Sequence, residues 1–242
     1  MKKIVVFDSG FGSLSVIREI QKIFKGELIY FADQKNFPYG VKSKPELENI
    51  IKDTINLLEE KFSPDFIIMA SNTPTLLLRH DLSRISRKLA GIYPPLSDAV
   101  KISRTKNIAI LGTRSITQSE SVTEFIEKCD VPNDIVIHKI DCSSLVELVE
   151  SGKFLTDKEY CKNVIKEVLG DVFLDNSIDV ATLSSTHLPF LEPFLRSIFK
   201  NVKFLDPAKN IVNILKDFVE DNDSQQNVLR IFTSGDVNLF KK

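Results

Sequence analysis

Short apolar runs alternate along this chain with longer segments whose apolar residues recur at helical spacing. The runs that predict strands are Ile4–Phe7, Leu28–Phe31, Phe66–Ala70, Ile108–Leu111, Ile135–Ile137, Ile178–Leu183 and Leu229–Thr233. Apolar spacing from Leu14 to Phe24 predicts a helix with Gly26 as its C′ residue. A second helix is predicted from near Pro45 to Phe62. Because most strand runs are continuously apolar, they indicate strands buried on both faces, and the alternation predicts a doubly wound α/β fold with parallel sheets.

A weak internal repeat divides the chain. A strand followed by a polar loop occurs at four places, in two pairs separated by comparable lengths of chain: 6–10, 69–74, 110–113 and 182–187. This spacing predicts two α/β domains of about 100 residues each. The paired prolines Pro94 and Pro95 cannot continue a helix and suit a crossover. We predict a first domain of residues 1–94 plus 208–242, a second of 95–207, and a polar loop at 221–227.

Composition narrows the class of protein. Lys and Arg number 32 against 33 Asp and Glu, so the net charge is −1, and nucleic acid is not an expected partner. No apolar run approaches the roughly 18 residues of a membrane span, and the N-terminal run is too short for a signal peptide. The three cysteines, Cys129, Cys142 and Cys161, form no CxxC pair, which argues against disulfides or a zinc site. We expect a cytoplasmic protein with no metal and no membrane partner.

Four polar loops follow predicted strands, which is where ligands bind in open α/β sheets. They are Asp8–Gly10, Phe37–Gly40, Ser71–Thr73 and Ser185–His187. Free backbone N–H groups at the start of a following helix can hold an anion. Each loop alone also fits capping or turn chemistry, and His187 alone fits a structural hydrogen bond as well as proton transfer. Together they predict a cleft for a small polar molecule with carboxylates.

Four further motifs are spread along nearly the whole chain. They are V-F-D-S-G-F-G at Val6–Gly12, F-A-D through P-Y-G at 31–40, V-E-S-G at Val149–Gly152 and T-S-G-D at Thr233–Asp236. In combination they resemble the glutamate racemase family, within the aspartate/glutamate racemase superfamily. The resemblance implies two pseudo-symmetric α/β domains that face each other across a cleft, often in a homodimer. It also implies cofactor-independent racemisation of glutamate, which supplies the D-isomer for cell-wall peptidoglycan.

The family moves the Cα proton with two cysteines, one from each domain, in C-N-T and C-T-H motifs. Here these motifs read Ser71-Asn72-Thr73 and Ser185-Thr186-His187, so both thiols are absent. The resemblance assigns auxiliary catalytic roles to Asp8, Glu150 and His187. It assigns substrate binding to Ser9, Asp33, Pro38, Tyr39, Gly40, Asn72, Thr73, Thr113 and Thr186.

Serine changes what such a site can do. A thiol can be tuned to a thiolate, whereas a serine hydroxyl becomes reactive only when an adjacent base takes its proton. We therefore expect racemisation to be strongly impaired or absent. Two other routes for moving the Cα proton remain open. Asp8 or Glu150 could act as the direct base, which would require a pKa far above that of an ordinary carboxylate, or Ser185 could relay a proton from His187 in one direction.

A second functional hypothesis is a non-catalytic glutamate- or dicarboxylate-binding protein, or a regulatory protein, on the same fold. The origin of the serines bears on this choice. Residues around the motifs also differ from the family pattern: Pro74 stands where alanine is usual, and Leu188 where tyrosine is usual. These differences favour a naturally divergent sequence over an engineered pair of substitutions.

Overall fold

The computed structural model describes residues 1–175, 177–220 and 227–236. Its contacts divide the chain into two compact units. Unit 1 comprises Met1–Ile92 together with the described residues from Ala208 onwards, and unit 2 comprises Tyr93–Pro207. Most of the predicted polar loop at 221–227 lies outside the described residues. Within the described ranges, no helix combines the length and apolar character needed to cross a membrane.

Strands and helices alternate along most of the chain. The strands are β1 (Lys3–Asp8), β2 (Glu27–Ala32), β3 (Phe66–Met69), β4 (Leu89–Gly91), β5 (Asn107–Gly112), β6 (Val136–Asp141), β7 (Val180–Leu183), β8 (Lys203–Leu205) and β9 (Val228–Thr233). The helices are α1 (Leu14–Ile23), α2 (Lys44–Phe62), α3 (Asn72–Leu77), α4 (Leu82–Ile85), α5 (Leu96–Ile102), α6 (Arg114–Thr117), α7 (Glu120–Lys128), α8 (Ser143–Glu150), α9 (Lys153–Thr156), α10 (Lys158–Asp175), α11 (Glu192–Ile198) and α12 (Ala208–Glu220). Short 3-10 turns occupy Phe11–Ser13, Gln34–Asn36, Tyr39–Val41 and Leu188–Leu191.

The two sheets share one topology. The sheet of unit 1 has the order β4-β3-β1-β2-β9, and the sheet of unit 2, read in the same direction, has the order β8-β7-β5-β6. Every neighbouring pair of strands is parallel. When the strands of each unit are numbered from its own first strand, and β9 is set aside, both sheets have the order 4-3-1-2. This is a doubly wound arrangement. The predicted α/β class with two parallel sheets is confirmed.

The burial of β1 explains its continuous apolar run. Ile4 and Val6 pack on the face covered by α1 and α12, while Val5 and Phe7 pack on the face covered by α2. Successive side chains of a strand point to opposite faces, so a strand between two helical layers must be apolar at every position. In unit 2, helices α8, α10 and α11 supply much of the core against β5 and β7.

The predicted C′ role of Gly26 is wrong. Helix α1 ends at Ile23, and Phe24 follows in an extended conformation with φ −103° and ψ 132°. Among the described glycines, positive φ is found at Gly152 and not at Gly26. Gly26 is required for space instead, because a Cβ there would lie 2.4 Å from the Phe24 ring and 2.6 Å from the Lys2 carbonyl oxygen.

Candidate functional site

The strand order indicates where each unit would bind a ligand. In a doubly wound sheet the crevice lies at the carboxyl ends of the two strands where the order reverses. In unit 1 these strands are β1 and β3, which lead into Asp8-Ser9 and Ser71-Asn72. In unit 2 they are β5 and β7, which lead into Thr113 and the Ser185 loop. The candidate residues are therefore described unit by unit.

Asp8 anchors the cluster at the end of β1. Its carboxylate accepts a hydrogen bond from the Ser9 N–H at 2.7 Å, and its carbonyl oxygen accepts one from the Asp33 N–H at 2.7 Å. The Ser9 hydroxyl oxygen accepts one from the Tyr39 N–H at 3.3 Å. Asp8 and Ser9 are buried, so this hydrogen-bond network lies below the protein surface at the carboxyl end of β1. Residues predicted on three separate segments are thus joined by direct hydrogen bonds.

The Asp33 carboxylate is buried and accepts hydrogen bonds from four side chains. The donors are Asn36 Nδ2 at 2.8 Å and the hydroxyls of Tyr39 at 2.8 Å, Thr54 at 3.2 Å and Ser234 at 2.9 Å. Burial, and then the charge of Asp33, raises the pKa of Tyr39 well above its ordinary value, so the phenol stays a protonated donor. The side chains of Asp33 and Tyr39 are committed to each other. In the same loop the Pro38 carbonyl oxygen accepts a hydrogen bond from the Val41 N–H at 3.4 Å, and Gly40 is partly buried.

Asn72 stands out at the start of α3. Its side chain is 2% exposed, and within the described residues neither its Oδ1 nor its Nδ2 has a hydrogen-bond partner. Ser71, directly before it, does not cap α3 with its hydroxyl, and its carbonyl oxygen accepts from Thr75 Oγ1 at 2.7 Å. Thr73 is also buried. A buried amide without partners costs about 1–3 kcal/mol, so Asn72 is a candidate contact for a polar ligand.

In unit 2, three predicted residues form a continuous chain. Ser185 Oγ lies 3.4 Å from His187 Nδ1, and the His187 N–H also donates to Ser185 Oγ at 3.5 Å. On the other side of the ring, His187 Nε2 contacts Glu150 Oε1. Glu150 is the last residue of α8, and Gly152, with φ 71°, turns the chain away two residues later. Both Ser185 and His187 are buried, and Thr186 between them is buried as well.

A second polar group in unit 2 was not predicted from the sequence. Arg114 Nε donates to Asp141 Oδ2 at 2.9 Å, and the N–H and hydroxyl of Ser143 donate to Asp141 Oδ1 at 3.0 and 2.6 Å. Partial burial raises the pKa of Asp141, but the hydrogen bonds from Ser143 and Arg114 outweigh it and lower the pKa on balance. The neighbouring Thr113 hydroxyl lies 2.9 Å from Ser115 Oγ. The sequence analysis did not identify Asp141 as a residue at the end of a strand, because the apolar run that predicts this strand covers only 135–137. In the structure β6 continues to Asp141.

The pKa values of all three cysteine thiols are raised above the ordinary value. Cys142 follows β6, but burial and the charge of Asp141 raise its pKa, so it stays protonated. Burial also raises the pKa of Cys129 and of Cys161, which lies in the core of unit 2. Within the part of the chain that the structure describes, no three His, Cys, Asp or Glu residues are grouped so as to hold a metal ion.

The chain is an α/β protein of two doubly wound units, with buried polar clusters at the carboxyl ends of both sheets. The chain is 31% identical over 240 residues to the glutamate racemase of Sulfurihydrogenibium sp., covering 98% of this chain and 90% of that protein. It is 33% identical over 218 residues to the glutamate racemase of Clostridium acetobutylicum, covering 87% and 81%. The chain belongs to the glutamate racemase family, whose activity is that of an isomerase.

Solved structures agree with this assignment. A glutamate racemase isoform from Bacillus anthracis superposes with a TM-score of 0.86 at 26% identity, covering 99% of this chain and 91% of that chain. The Escherichia coli enzyme in complex with L-glutamate and the activator UDP-MurNAc-ala shares the fold, with a TM-score of 0.83 at 22% identity and coverage of 99% and 91%. The Francisella tularensis enzyme in complex with D-glutamate also shares it, with a TM-score of 0.81 at 23% identity and coverage of 99% and 90%. No family model matches the chain.

Proposed function

We propose that this protein binds glutamate or a closely similar dicarboxylic amino acid, and that its racemisation of that ligand is strongly impaired or absent. The observation that carries the proposal is the buried, unpartnered amide of Asn72 at the strand-end crevice of unit 1. A glutamate carboxylate or ammonium group offers the partners that this amide lacks. Membership of the glutamate racemase family, and glutamate in the E. coli and F. tularensis structures, support a ligand of this size and charge.

The proposed contacts follow the family pattern. Ser71 and Ser185 take the positions of the two cysteines, and Asp8, Glu150 and His187 take the auxiliary positions. Direct binding is proposed for Ser9, Gly40, Asn72, Thr73, Thr113 and Thr186. The side chains of Asp33 and Tyr39 act by holding their loop, since they are bonded to each other. No cofactor is proposed, because the family chemistry needs only side chains that move a proton.

The expected loss of racemisation has a chemical cause. The family's base must itself remove the Cα proton, and a thiol can be tuned to do so near neutral pH. A serine hydroxyl is a far weaker acid, so its ionised form is scarce unless a neighbouring base takes the proton. The second candidate function, a non-catalytic sensor or regulator that binds the same ligand, is favoured by the loss of both thiols together in a chain that retains their polar neighbours.

Proton exchange at Cα tests the proposal. L- and D-glutamate are incubated in D2O with the protein and with the double variant Ser71→Cys/Ser185→Cys, and deuterium at Cα is followed by NMR. We expect little or no exchange with the unaltered chain, and exchange with racemisation by the double variant. A folded double variant that binds glutamate but neither exchanges nor racemises it would contradict the assigned roles of positions 71 and 185.

Calorimetry addresses binding separately. We expect heat of binding from glutamate with the chain as it stands. Binding without any exchange supports the sensor reading, whereas the absence of binding to glutamate, aspartate and other small dicarboxylates would exclude both candidates.

The cellular setting is also a proposal. We propose a cytoplasmic homodimer, with any residual D-glutamate serving peptidoglycan synthesis, in line with the family. Light scattering after size-exclusion chromatography measures the mass in solution, and a monomer at micromolar concentration would contradict the dimer.

A further inference from the structure

The three residues Ser185, His187 and Glu150 are arranged as a hydroxyl, an imidazole and a carboxylate in sequence. The Ser185 hydroxyl faces Nδ1 of His187 at 3.4 Å, and Glu150 contacts the opposite ring nitrogen, Nε2. This is the order of groups that activates a serine nucleophile: the imidazole takes the serine proton, and the carboxylate orients the ring and stabilises its charged form. The separation of 3.4 Å is slightly long, as is common before a substrate is bound.

The surroundings hold this arrangement in place. His187 and Glu150 have side chains only 7% and 17% exposed. The His187 N–H donates to Ser185 Oγ at 3.5 Å, and the Ser185 carbonyl oxygen accepts the Leu188 N–H at 3.1 Å. Helix α8, which ends at Glu150, contacts the 3-10 turn Leu188–Leu191 that follows His187. The three groups are therefore supported by packing on both sides, which keeps the reacting atoms close without a ligand.

We propose that Ser185, His187 and Glu150 form a nucleophilic serine centre in unit 2, which accepts acyl groups from esters of small carboxylic acids and releases them to water. Ser185 is the nucleophile, His187 the general base and acid, and Glu150 a positioning residue that acts through His187. This activity is distinct from racemisation. It depends on unit 2 alone and does not rest on the proposed binding of glutamate.

The reaction balances with groups that are present. Ser185 Oγ forms a bond to the ester carbonyl carbon while its proton moves to His187 Nδ1. The carbon–oxygen bond to the leaving group breaks, and the departing alkoxide takes that proton from Nδ1 and leaves as an alcohol. Water then attacks the acyl-serine, giving one proton to Nδ1, which returns it to Ser185 Oγ as the free acid leaves.

The same serine that is ill suited to the family reaction suits this one. Removing a proton from carbon requires an ionised base that persists, which a hydroxyl does not provide at neutral pH. Attack on a carbonyl needs the proton to move only as the new bond forms, so a neighbouring imidazole is sufficient. Replacement of a thiol by a hydroxyl at position 185 thus leaves acyl transfer available.

An alkyl fluorophosphonate probe tests the nucleophile on the full chain without glutamate. Ser185 Oγ attacks phosphorus, fluoride leaves, and the proton goes to His187, so the adduct marks the reactive residue. We expect peptide mass spectrometry to find the adduct on Ser185, and p-nitrophenyl acetate to be hydrolysed with turnover. Ser185→Ala should abolish both signals. An adduct elsewhere, or a folded protein that reacts with neither compound, overturns the proposal.

Further variants separate the three roles. His187→Gln should slow labelling by about 10²-fold or more, the usual contribution of a general base. Glu150→Gln should slow it about tenfold, and Glu150→Asp should recover part of the rate, which a merely structural role would not explain. Ser197→Ala is the matched control and should label at the rate of the unaltered chain, because Ser197 is exposed on α11 and its hydroxyl donates to the Phe194 carbonyl oxygen at 2.8 Å. Circular dichroism checks that each variant is folded. Unchanged labelling of His187→Gln would refute the proposed base.

Discussion

At the scale of single residues, Asn72 is a polar group that the folded protein buries at a cost. Both polar atoms of its amide lack partners within the described residues, although water would satisfy them in the unfolded chain. Groups of this kind reduce stability and are retained where function needs them. The nearby Thr75 hydroxyl, in contrast, has two hydrogen-bond partners. It donates to the Ser71 carbonyl oxygen and accepts from the Ile92 N–H at 3.2 Å.

The contrast between these two residues gives a prediction. Asn72→Ala should leave the free energy of unfolding unchanged or raise it slightly, while weakening glutamate binding about tenfold by removing one ligand hydrogen bond. Thr75→Val is the matched control, and should lower the free energy of unfolding by about 1–3 kcal/mol because it leaves buried groups unpaired. Urea unfolding and calorimetry measure the two quantities. A large loss of stability in Asn72→Ala would mean that the amide has a structural role after all.

Tyr39 links a single residue to the dependence of stability on pH. Its hydroxyl donates to Asp33 at 2.8 Å, and burial raises its pKa well above the ordinary value. The folded protein therefore keeps this proton where the unfolded chain loses it. The resulting stability is fully present below about pH 10 and is lost as the pH rises from there towards the raised pKa of the folded state.

We expect Tyr39→Phe to lower the free energy of unfolding by about 1–3 kcal/mol at pH 7 through loss of the hydrogen bond. Above about pH 10 the gap between the two proteins should narrow by up to ~1.4 kcal/mol per pH unit, because only the natural chain loses the tyrosine contribution. Urea unfolding from pH 7 to 11 measures this difference, in which groups common to both proteins cancel. A gap that stays constant to pH 11 would contradict the raised pKa.

At the scale of elements, glycines serve different purposes in a connection and in a helix. Gly26 lies between α1 and β2, where a Cβ would meet the Phe24 ring and the Lys2 carbonyl oxygen. Gly170 lies within α10, and a Cβ there would have nothing within 4 Å. The first position excludes a side chain because backbone lies too close, while the second carries only the entropic penalty of glycine in a helix.

The same glycine-to-alanine substitution is therefore expected to change the free energy of unfolding in opposite directions at these two positions. Gly170→Ala should raise the free energy of unfolding by about 0.5–1 kcal/mol, and Gly26→Ala should lower it by about 1–3 kcal/mol. Thermal and urea unfolding of both variants would test this, each serving as the control for the other. Destabilisation by Gly170→Ala would indicate that α10 packs more tightly than the structure shows.

At the scale of the whole molecule, unit 1 is built from two separate stretches of chain and unit 2 from one. After leaving unit 2, the chain adds α12 against α1 and pairs β9 with β2 in parallel. Ile211 and Leu215 of α12 are buried in the same core as Val16 and Ile20 of α1. Without this returning segment, an apolar face of unit 1 would be open to water.

We predict that residues 93–207 expressed alone unfold cooperatively, whereas residues 1–92 do not. The first fragment contains its entire core cluster, and the second lacks the α12 side chains that cover α1. Circular dichroism during heating distinguishes a sharp transition from a gradual one. Cooperative unfolding of 1–92 would show that the returning segment is dispensable for the fold of unit 1.

Most strands could be predicted from local pattern, because the interior of a strand between two helical layers must be apolar, as Ile4–Phe7 of β1, Leu28–Ala32 of β2 and the whole of β3 are. The exceptions have local causes. Strands β4 and β8 are three residues long, too short for an apolar run to be noticed. Strand β6 mixes exposed and partly buried positions, so its continuation to Asp141 was missed.

By itself, the sequence determined the alternation of strands and helices, the polar loops after the strands and the family motifs, since each is written in neighbouring residues. Only the tertiary structure decided which of these side chains meet. Ser234 bonds Asp33 across 201 residues, and Glu150 reaches His187 across 37. The tertiary structure also pairs the Tyr39 phenol with Asp33, and it leaves the Asn72 amide without a partner among the described residues. The physical reason is that such contacts depend on strand order and register, which join distant segments and leave no trace in local spacing.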